Sequence, residues 1–306
     1  MKEYIVARVG FFSDPHFSVE SEKEEEKWFP PVCNFLEKIN SSGRLVKKFL
    51  SFWDKKTQSS FKKIIEKMIN LQPFDLVVGL GDYTPGANES GMLTPKTQEQ
   101  YFAFQKIIDQ IDCPKKLVWG GHDVGYRFNV SGKIGIKIGT ETGGMSVESA
   151  ESATKLIGEP FGCFWVDQIK FIYISTNLIR NVNEESPKKL GDLKLSQENF
   201  LARTLNNGNK KAFLLLHDPT ALSECSVARI IIDSHRDKII AIIHGHLHAE
   251  FVSKITKNFP VYQELYSRYE TILVPASWGM MGIGGGFLIM NIYNNGTFKI
   301  NFHKTN

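Results

Sequence analysis

The chain has 306 residues, enough to bury one large core or two small ones without disulfides or a structural metal. Its 37 basic and 33 acidic residues leave a formal charge of +4, too slight for a protein that coats nucleic acid. The four cysteines, Cys33, Cys113, Cys163 and Cys225, are scattered with no Cys-x-x-Cys pair, which argues against a zinc ribbon or a disulfide framework and for reduced thiols. No run approaches the length of a membrane span, and the first residues carry neither a long apolar stretch nor a cleavage site. The expected location is cytoplasmic, with a peripheral membrane surface as the alternative.

Residues 4–12 form an apolar run broken by Arg8, of a length for one strand in a sheet interior. Ser13, Asp14 and Pro15 end it, since Pro15 offers no donor to a ladder and pushes Asp14 toward an extended backbone. Asp14 and His16 then lie on a loop at the carboxyl end of the strand, the edge where open α/β sheets bind ligands. Together they can grip a divalent cation; Asp and Pro are also ordinary turn residues. Residues 20–27 read as a charged surface segment. From 44 to 70 apolar residues recur at helical spacing, at Leu45, Phe49, Phe52 and Trp53 and again at Phe61, Ile64, Ile65 and Met68, read as two helices broken near Gln58. The second packs on the sheet. The first sets Arg44, Lys47, Lys48, Lys55 and Lys56 beside Phe and Trp, the composition of a helix that meets anionic lipid or a lipid-like substrate. Its other reading is a cap helix whose lysine stems cover the body of the protein.

Residues 74–80 read as a second buried strand, ending in Gly81-Asp82. A helix over about 97–111 presents Phe102, Phe104, Ile107, Ile108 and Ile111, and a third strand, 116–119, delivers Gly120-Gly121-His122-Asp123. Residues 126–160, rich in Gly and Ser, are expected to be a loop region over the site. Segments 161–166 and 170–175 look like a hairpin turned at Asp167-Gln168, and 181–209 is a polar segment, helical or loop. A buried strand at 212–216 ends in His217-Asp218, a helix ends near His235, and a strand at 238–243 ends in His244-Gly245-His246-Leu247-His248. The remainder is expected to be all-β, with strands near 249–255 and 270–275 and a hairpin whose Asn295-Gly296 favours the tight turn that strand twist prefers.

Five strands thus end in residues that bind metal or carry protons: Asp14 and His16; Asp82; His122 and Asp123; His217; His246 and His248. One such residue at a strand end is ordinarily a cap or a turn, but five of the eight histidines fall there, on edges that can converge. Of the other three, His235 is expected on a helix surface and His303 near a frayed end, while His244 borders the site and either packs in the core or backs the ligands.

In this order the motifs resemble those of the calcineurin-like metallophosphoesterases, in particular bacterial-type members: Asp-x-His, Gly-Asp, Gly-Asn-His-Asp or Glu, a lone His after a strand, and Gly-His-x-His. The match runs from residue 14 to residue 248. The resemblance implies a four-layer α-β-β-α sandwich of two mixed β-sheets flanked by helices, with a dinuclear metal centre at the carboxyl ends of the strands. The expected organisation is one domain over 1–306 with a cap or insert at about 20–60 and a loop-rich region at about 125–160. Carried over, Asp14, His16 and His248 hold the first metal, His217 and His246 the second, and Asp82 bridges them.

The chemistry of the residues agrees with that. Two cations about 4 Å apart clamp a phosphoryl group and acidify a bridging water for in-line attack. His122 protonates the leaving alkoxide, tuned by Asp123 as its hydrogen-bonding partner. Mixed imidazole and carboxylate donors suit Mn, Fe, Zn or Co better than Ca. Gly121 stands where the family has Asn, so the second metal is expected to lack a side-chain oxygen and to be the more easily lost. Tyr126 and Arg127, just after His122, are candidates to meet substrate phosphate.

The expected function is a metal-dependent phosphoesterase acting on a phosphomonoester, phosphodiester or pyrophosphate bond of a small-molecule or nucleotide-linked substrate. Residues 36–61 are similar to a region of bacterial members that act at membranes, including those that split the pyrophosphate of UDP-2,3-diacylglucosamine; residues 44–56 would then contact lipid. The competing class is a non-catalytic binding or scaffold member of the same fold, favoured by Gly121 and opposed by the remaining donors. A nuclease fits less well, given the small charge excess and no basic and aromatic stripe beside the motifs, so no nucleic-acid partner is expected.

Overall fold

A computed structural model describes residues 2–18, 44–85, 93–125, 145–180, 182–208, 210–223, 226–247, 257–258, 260–277 and 285–304, with the side chains of 44–56, 260–262 and 264 left out. β1 (Ile5–Phe12) is followed by α1 (Arg44–Asn70), β2 (Leu76–Gly79), α2 (Pro95–Ile108), β3 (Lys115–Leu117), α3 (Gly121–Val124) and α4 (Val147–Leu156). Then come the hairpin β4 (Gly162–Val166) and β5 (Ile169–Tyr173), α5 (Thr176–Arg180), α6 (Lys188–Asn206) and β6 (Ala212–Leu216). The chain ends through α7 (Val227–Ser234), β7 (Ile239–His244), α8 (Pro260–Arg268), β8 (Thr271–Leu273), β9 (Gly286–Tyr293) and β10 (Phe298–Lys304).

The strands form two five-stranded sheets, ordered β10-β9-β1-β2-β3 and β4-β5-β6-β7-β8. In the first, β1, β2 and β3 run parallel while β9 and β10 are antiparallel. In the second only β4 is antiparallel. β5 and β6 are buried at every position, the pattern of parallel strands covered on both faces. Alternation along each strand builds the layers. Val9, Phe11 and Val78 meet Phe171, Phe213, Leu215 and Ile243 between the sheets. Phe12 and Val77 turn the other way, onto Phe61, Ile64, Ile65 and Met68 of α1 and Phe104 of α2. Leu214, Leu216 and Ile242 meet Leu201 and Leu205 of α6, Ile232 of α7 and Leu265 of α8. The result is the four-layer α-β-β-α sandwich of two mixed sheets.

Several local expectations change. α1 is one continuous helix, not two broken near Gln58: Ser59 and Ser60 are weak helix formers but not breakers, and Gln58 is itself tied by its side-chain amide to the Ser18 carbonyl. The side chains of the basic and aromatic stretch before it, 44–56, lie outside the described residues. In α2, which starts at Pro95 after the Thr94 cap, the buried face is Tyr101, Phe104 and Ile108, whereas Phe102 is 48% exposed, because it lies two residues from Phe104 and so on the opposite side of the helix. Within the expected loop region, 147–156 is the helix α4, capped by reciprocal Ser146–Ser149 bonds and packed through the small Ala150 and Ala153; 126–144 lies outside the described residues. The end of the chain is not all-β, since α8 buries Leu265 with Tyr269 just after it, one helical turn apart; the strand expected near 249–255 is outside the described residues. The last hairpin closes with a three-residue loop between Tyr293 and Thr297, in which Gly296 alone takes positive φ. His303 is not at a frayed end but on β10, stacked 5.1 Å from the Phe287 ring.

The helix layer predicts its own sensitivities. Phe61→Ala should cost about 3–5 kcal/mol of unfolding free energy, and Phe102→Ala no more than about 0.5 kcal/mol. Urea denaturation of the two variants checks this, and equal losses would show that Phe102 packs as deeply as Phe61.

Candidate metal centre

The parallel runs β1, β2, β3 and β6, β7 bring their carboxyl ends to one rim, and the loops that follow are laced by backbone bonds. Asp14 N donates to Gly81 O (3.1 Å), His16 N to Asp82 O (3.0 Å) and Phe17 N to Tyr83 O (2.8 Å), so the first two loops run side by side. Gly245 N donates to His217 O (3.1 Å) and Ser277 N to Ser13 O (3.2 Å), tying in the second sheet and the β8 side. Asp14 is not extended ahead of Pro15. With His16, Asp82 and His246 it takes positive φ, between 41° and 63°. One-residue kinks at the strand ends bring these four residues to the rim, and Asp and His are among the non-glycine residues found most often in that region. Glycine is required where the loops touch: a Cβ on Gly120 would lie 2.2 Å from Asp82 N, and one on Gly245 1.9 Å from Ser13 Oγ.

Asp82 sits at the centre, 1% exposed. Its Oδ1 accepts from His122 N at the start of α3 (2.8 Å). Its Oδ2 faces three imidazoles, with Nε2 of His217 at 3.0 Å, of His122 at 3.8 Å and of His16 at 3.9 Å. Burial alone would raise the Asp82 pKa, but His217, then His122 and His16, outweigh it and hold the carboxyl well below its ordinary range. Asp14 Oδ2 accepts from Ser13 Oγ (2.5 Å) and His246 N (2.9 Å), while Oδ1 lies 3.9 Å from His16 Nε2 and 4.0 Å from His217 Nε2.

These residues fit divalent cations. His217 Nδ1 is bonded to Leu80 O (2.7 Å), which leaves Nε2 as the ligating atom, buried 3.0 Å from Asp82 Oδ2. Nitrogen and oxygen ligands about 2.0–2.2 Å from one ion lie some 3 Å apart on adjacent coordination sites, close to the His217–Asp82 separation. Two donor sets, His16–Asp82–His122 and Asp82–His217–His246, each gather within 4.8 Å and share Asp82. The ring pairs His16–His122 and His217–His246 stand at the same separation and tilt, 5.2 Å and 73°.

Of the residues expected at the site, Asp14, His16, Asp82, His122, His217 and His246 come together. His248, Tyr126 and Arg127 lie outside the described residues. Asp123 is close but differently employed. Its carboxylate accepts from Gly120 N (2.7 Å), Asp82 N (3.0 Å) and Tyr83 N (3.1 Å), so it clamps the β2 and β3 loops together instead of bonding the His122 ring. Burial, then the charge of Asp82, pushes it up to about 7. His244 packs in the core: fully buried, it bonds Gly245 O (2.9 Å), and burial lowers its pKa to about 4.

Sequence reading passed over a supporting network. Arg180 of α5 donates to Asp218 Oδ2 and, at 2.9 Å, to Thr220 Oγ1; Thr220 in turn donates to Asp218 Oδ1. Asp218 Oδ2 stands 3.8 Å from His246 Nε2, and Arg180 leads the charges that hold its carboxyl well below the usual range against burial. Asn177 Nδ2 donates to Gly120 O (3.0 Å), fixing the β3 loop from α5. The Asp after His217 was the one visible signal; nothing in the spacing marks Asn177 or Arg180.

No curated protein sequence matches the chain. A profile of the family described as calcineurin-like phosphoesterase matches residues 7–250. Among solved structures, a dimetal phosphatase from Danio rerio is similar at 12% identity with a TM-score of 0.53, covering 99% of this chain and 98% of that one. A purple acid phosphatase from yellow lupin seeds is similar at 14% identity with a TM-score of 0.53; it covers 99% of this chain, which spans 52% of its length. At such identities the likeness speaks for the shared fold.

Burial favours a neutral His217 ring, but Asp82 and Asp14 outweigh it and push its pKa up to about 10. A cation takes only the neutral imidazole, so binding to the metal-free chain must displace that proton, and affinity should climb as pH rises through neutrality, by up to about tenfold per unit for one proton. Calorimetry of Mn binding at pH 7 in buffers of different ionisation enthalpy reads the proton count; zero protons released would show the ring already neutral.

Proposed function

The chain belongs to the calcineurin-like phosphoesterase family, and on that footing we propose that it hydrolyses a phosphate ester or pyrophosphate of a small molecule with two divalent cations held at the strand-end rim. The observation that carries this reading is the sharing of Asp82 between two donor sets, as a bridging carboxylate requires. Asp14 and His16 would hold the first ion, together with His248. His217 and His246 would hold the second, and Asp82 both. When bound, the ions neutralise charge on the phosphoryl group and acidify the attacking water.

The chain's own groups do the rest. The short α3 aims its His122 amide at Asp82 and so fixes where the shared carboxylate points. The His122 ring, 14% exposed where Asp82 and His16 are sealed, reaches the mouth of the site, as does the His246 ring at 18%, and His122 gives its proton to the departing alkoxide. Asp123, through three backbone amides, keeps the β2 and β3 loops in register, a positioning role. A second role for His122, as a ligand, has one observation behind it, its place in the donor set with His16 and Asp82.

Kinetics separate the two. As a general acid, His122→Ala should keep its metal content and lose about 10²–10⁴-fold in kcat on an alkyl phosphate. The loss on p-nitrophenyl phosphate, whose leaving group needs no proton, should be far smaller. Metal analysis showing a lost ion would make His122 a ligand. Should the Mn-loaded protein turn over neither p-nitrophenyl phosphate nor its bis ester faster than Asp82→Asn, the chain would be a binding module.

Gly121 offers no side-chain oxygen to the second ion. Calorimetric titration with Mn is therefore expected to resolve one tight and one weaker site, with Gly121→Asn narrowing the gap. Two equally tight sites in the unaltered chain would contradict this.

A further inference from the structure

At the amino-terminal side of the strands, the edges of the two sheets part around a cleft of about 510 Å3. We propose that this cleft, between β3 and β4, binds a small ligand that carries an anionic group on a flat aromatic ring. A strand advances about 3.3 Å per residue, so Lys116 in the cleft lies roughly 13 Å before Gly120 at the rim. None of the residues that line the cleft belongs to the metal site, and the proposal does not rest on the metal chemistry.

Lys116 is the centre of the argument. Its neighbour Leu117 faces the helix layer and Val118 the space between the sheets, so alternation turns Lys116 inward, into the cleft. Its ammonium lies 4.1 Å from the centre of the Tyr173 ring, and among the described residues it has neither a hydrogen bond nor an ion pair. A half-buried ammonium without an acceptor is costly, and a ring face relieves only part of that cost. Accordingly burial lowers its pKa, opposed by Glu159, which acts at a distance without pairing.

Two of the other charges around the cleft are already engaged: Lys115 donates to the Ile111 and Cys113 carbonyls, and Asp75 accepts from Arg8 N at 2.8 Å. Asp167, exposed at the tip of the β4–β5 turn, also lines the cleft. An anion that reaches Lys116 meets a cation with no salt bridge to displace.

The walls select what carries the anion. Phe164, stacked 5.2 Å on Phe171 of the core and so held in place, offers a ring face beside Tyr173, whose ring already faces Lys116. Trp165, 48% exposed, alternates to the other face of β4 with its partner Lys170, which donates to Thr204 O, so its ring contributes nothing inside the cleft. An aromatic face beside a cation suits a planar anion: the ring stacks and the charge reaches Lys116.

The test is calorimetry on the metal-loaded full chain with two probes that contain no cleavable ester, 2-naphthalenesulfonate and a non-hydrolysable adenosine phosphonate. One site is expected for at least one of them; the sulfonate alone would point to an aryl acid, the phosphonate to a nucleotide. Lys116→Gln should weaken it tenfold or more while Lys116→Arg, which keeps the charge, restores it, a split that loss of the lysine stem alone would not give. Asp82→Asn, at the metal rim, should leave it unchanged. Absence of binding by both probes, or binding lost in Asp82→Asn and kept in Lys116→Gln, overturns the proposal.

Discussion

One buried carboxylate governs the rim. Asp82 is sealed from water and faces three imidazole nitrogens, and its second oxygen is committed to a backbone amide. A charge taken out of water is tolerated only where other charges and dipoles answer it. Here the answer comes from loops that follow β1, β3 and β6, in two different sheets. The sandwich exists, in functional terms, to deliver those loops to one carboxylate.

That delivery has a conformational cost. Four of the five non-glycine residues with positive φ among the described residues are Asp14, His16, Asp82 and His246. Each such kink costs on the order of 1–3 kcal/mol, which the side-by-side backbone bonds between the 13–17 and 81–83 loops and the Asp123 clamp are placed to offset. The strained positions are also the ones that present donor atoms, so strain and chemistry share the same residues. Around them the fold is regular, with Phe11, Phe171 and Phe213 in successive ring contact between the sheets.

The sequence was most legible where a single physical signal dominates. Runs such as Ala212–Leu216, short, apolar throughout and buried at every position, have the length of interior strands, and the polar residues that end them stand out against that background. Six of the expected donors meet for this reason. Legibility failed where partners are backbone atoms far along the chain: Asp123 looks like the natural companion of His122, yet it is held by amides of residues 82 and 83, some forty positions away. It failed also for α4, whose buried face is Ser149, Ala150 and Ala153, too small to print an apolar stripe. The Arg180–Asp218–Thr220 network joins the end of α5 to the segment after β6 by the reach of Arg180 over some forty positions, which no one-dimensional spacing records.

The contact between Gly81 and Gly120 reaches beyond local geometry. A methyl on Gly81 would fall 2.5 Å from the Gly120 Cα, and one on Gly120 would strike the backbone of Gly81 and Asp82. Neither position can therefore be repaired by change at the other, since glycine is already the smallest residue available to both. In a saturation library these two sites should behave as a single intolerant locus without pairwise rescue. The width of the rim is thus set by atoms that are missing, and evolution can alter it only by rebuilding both loops at once.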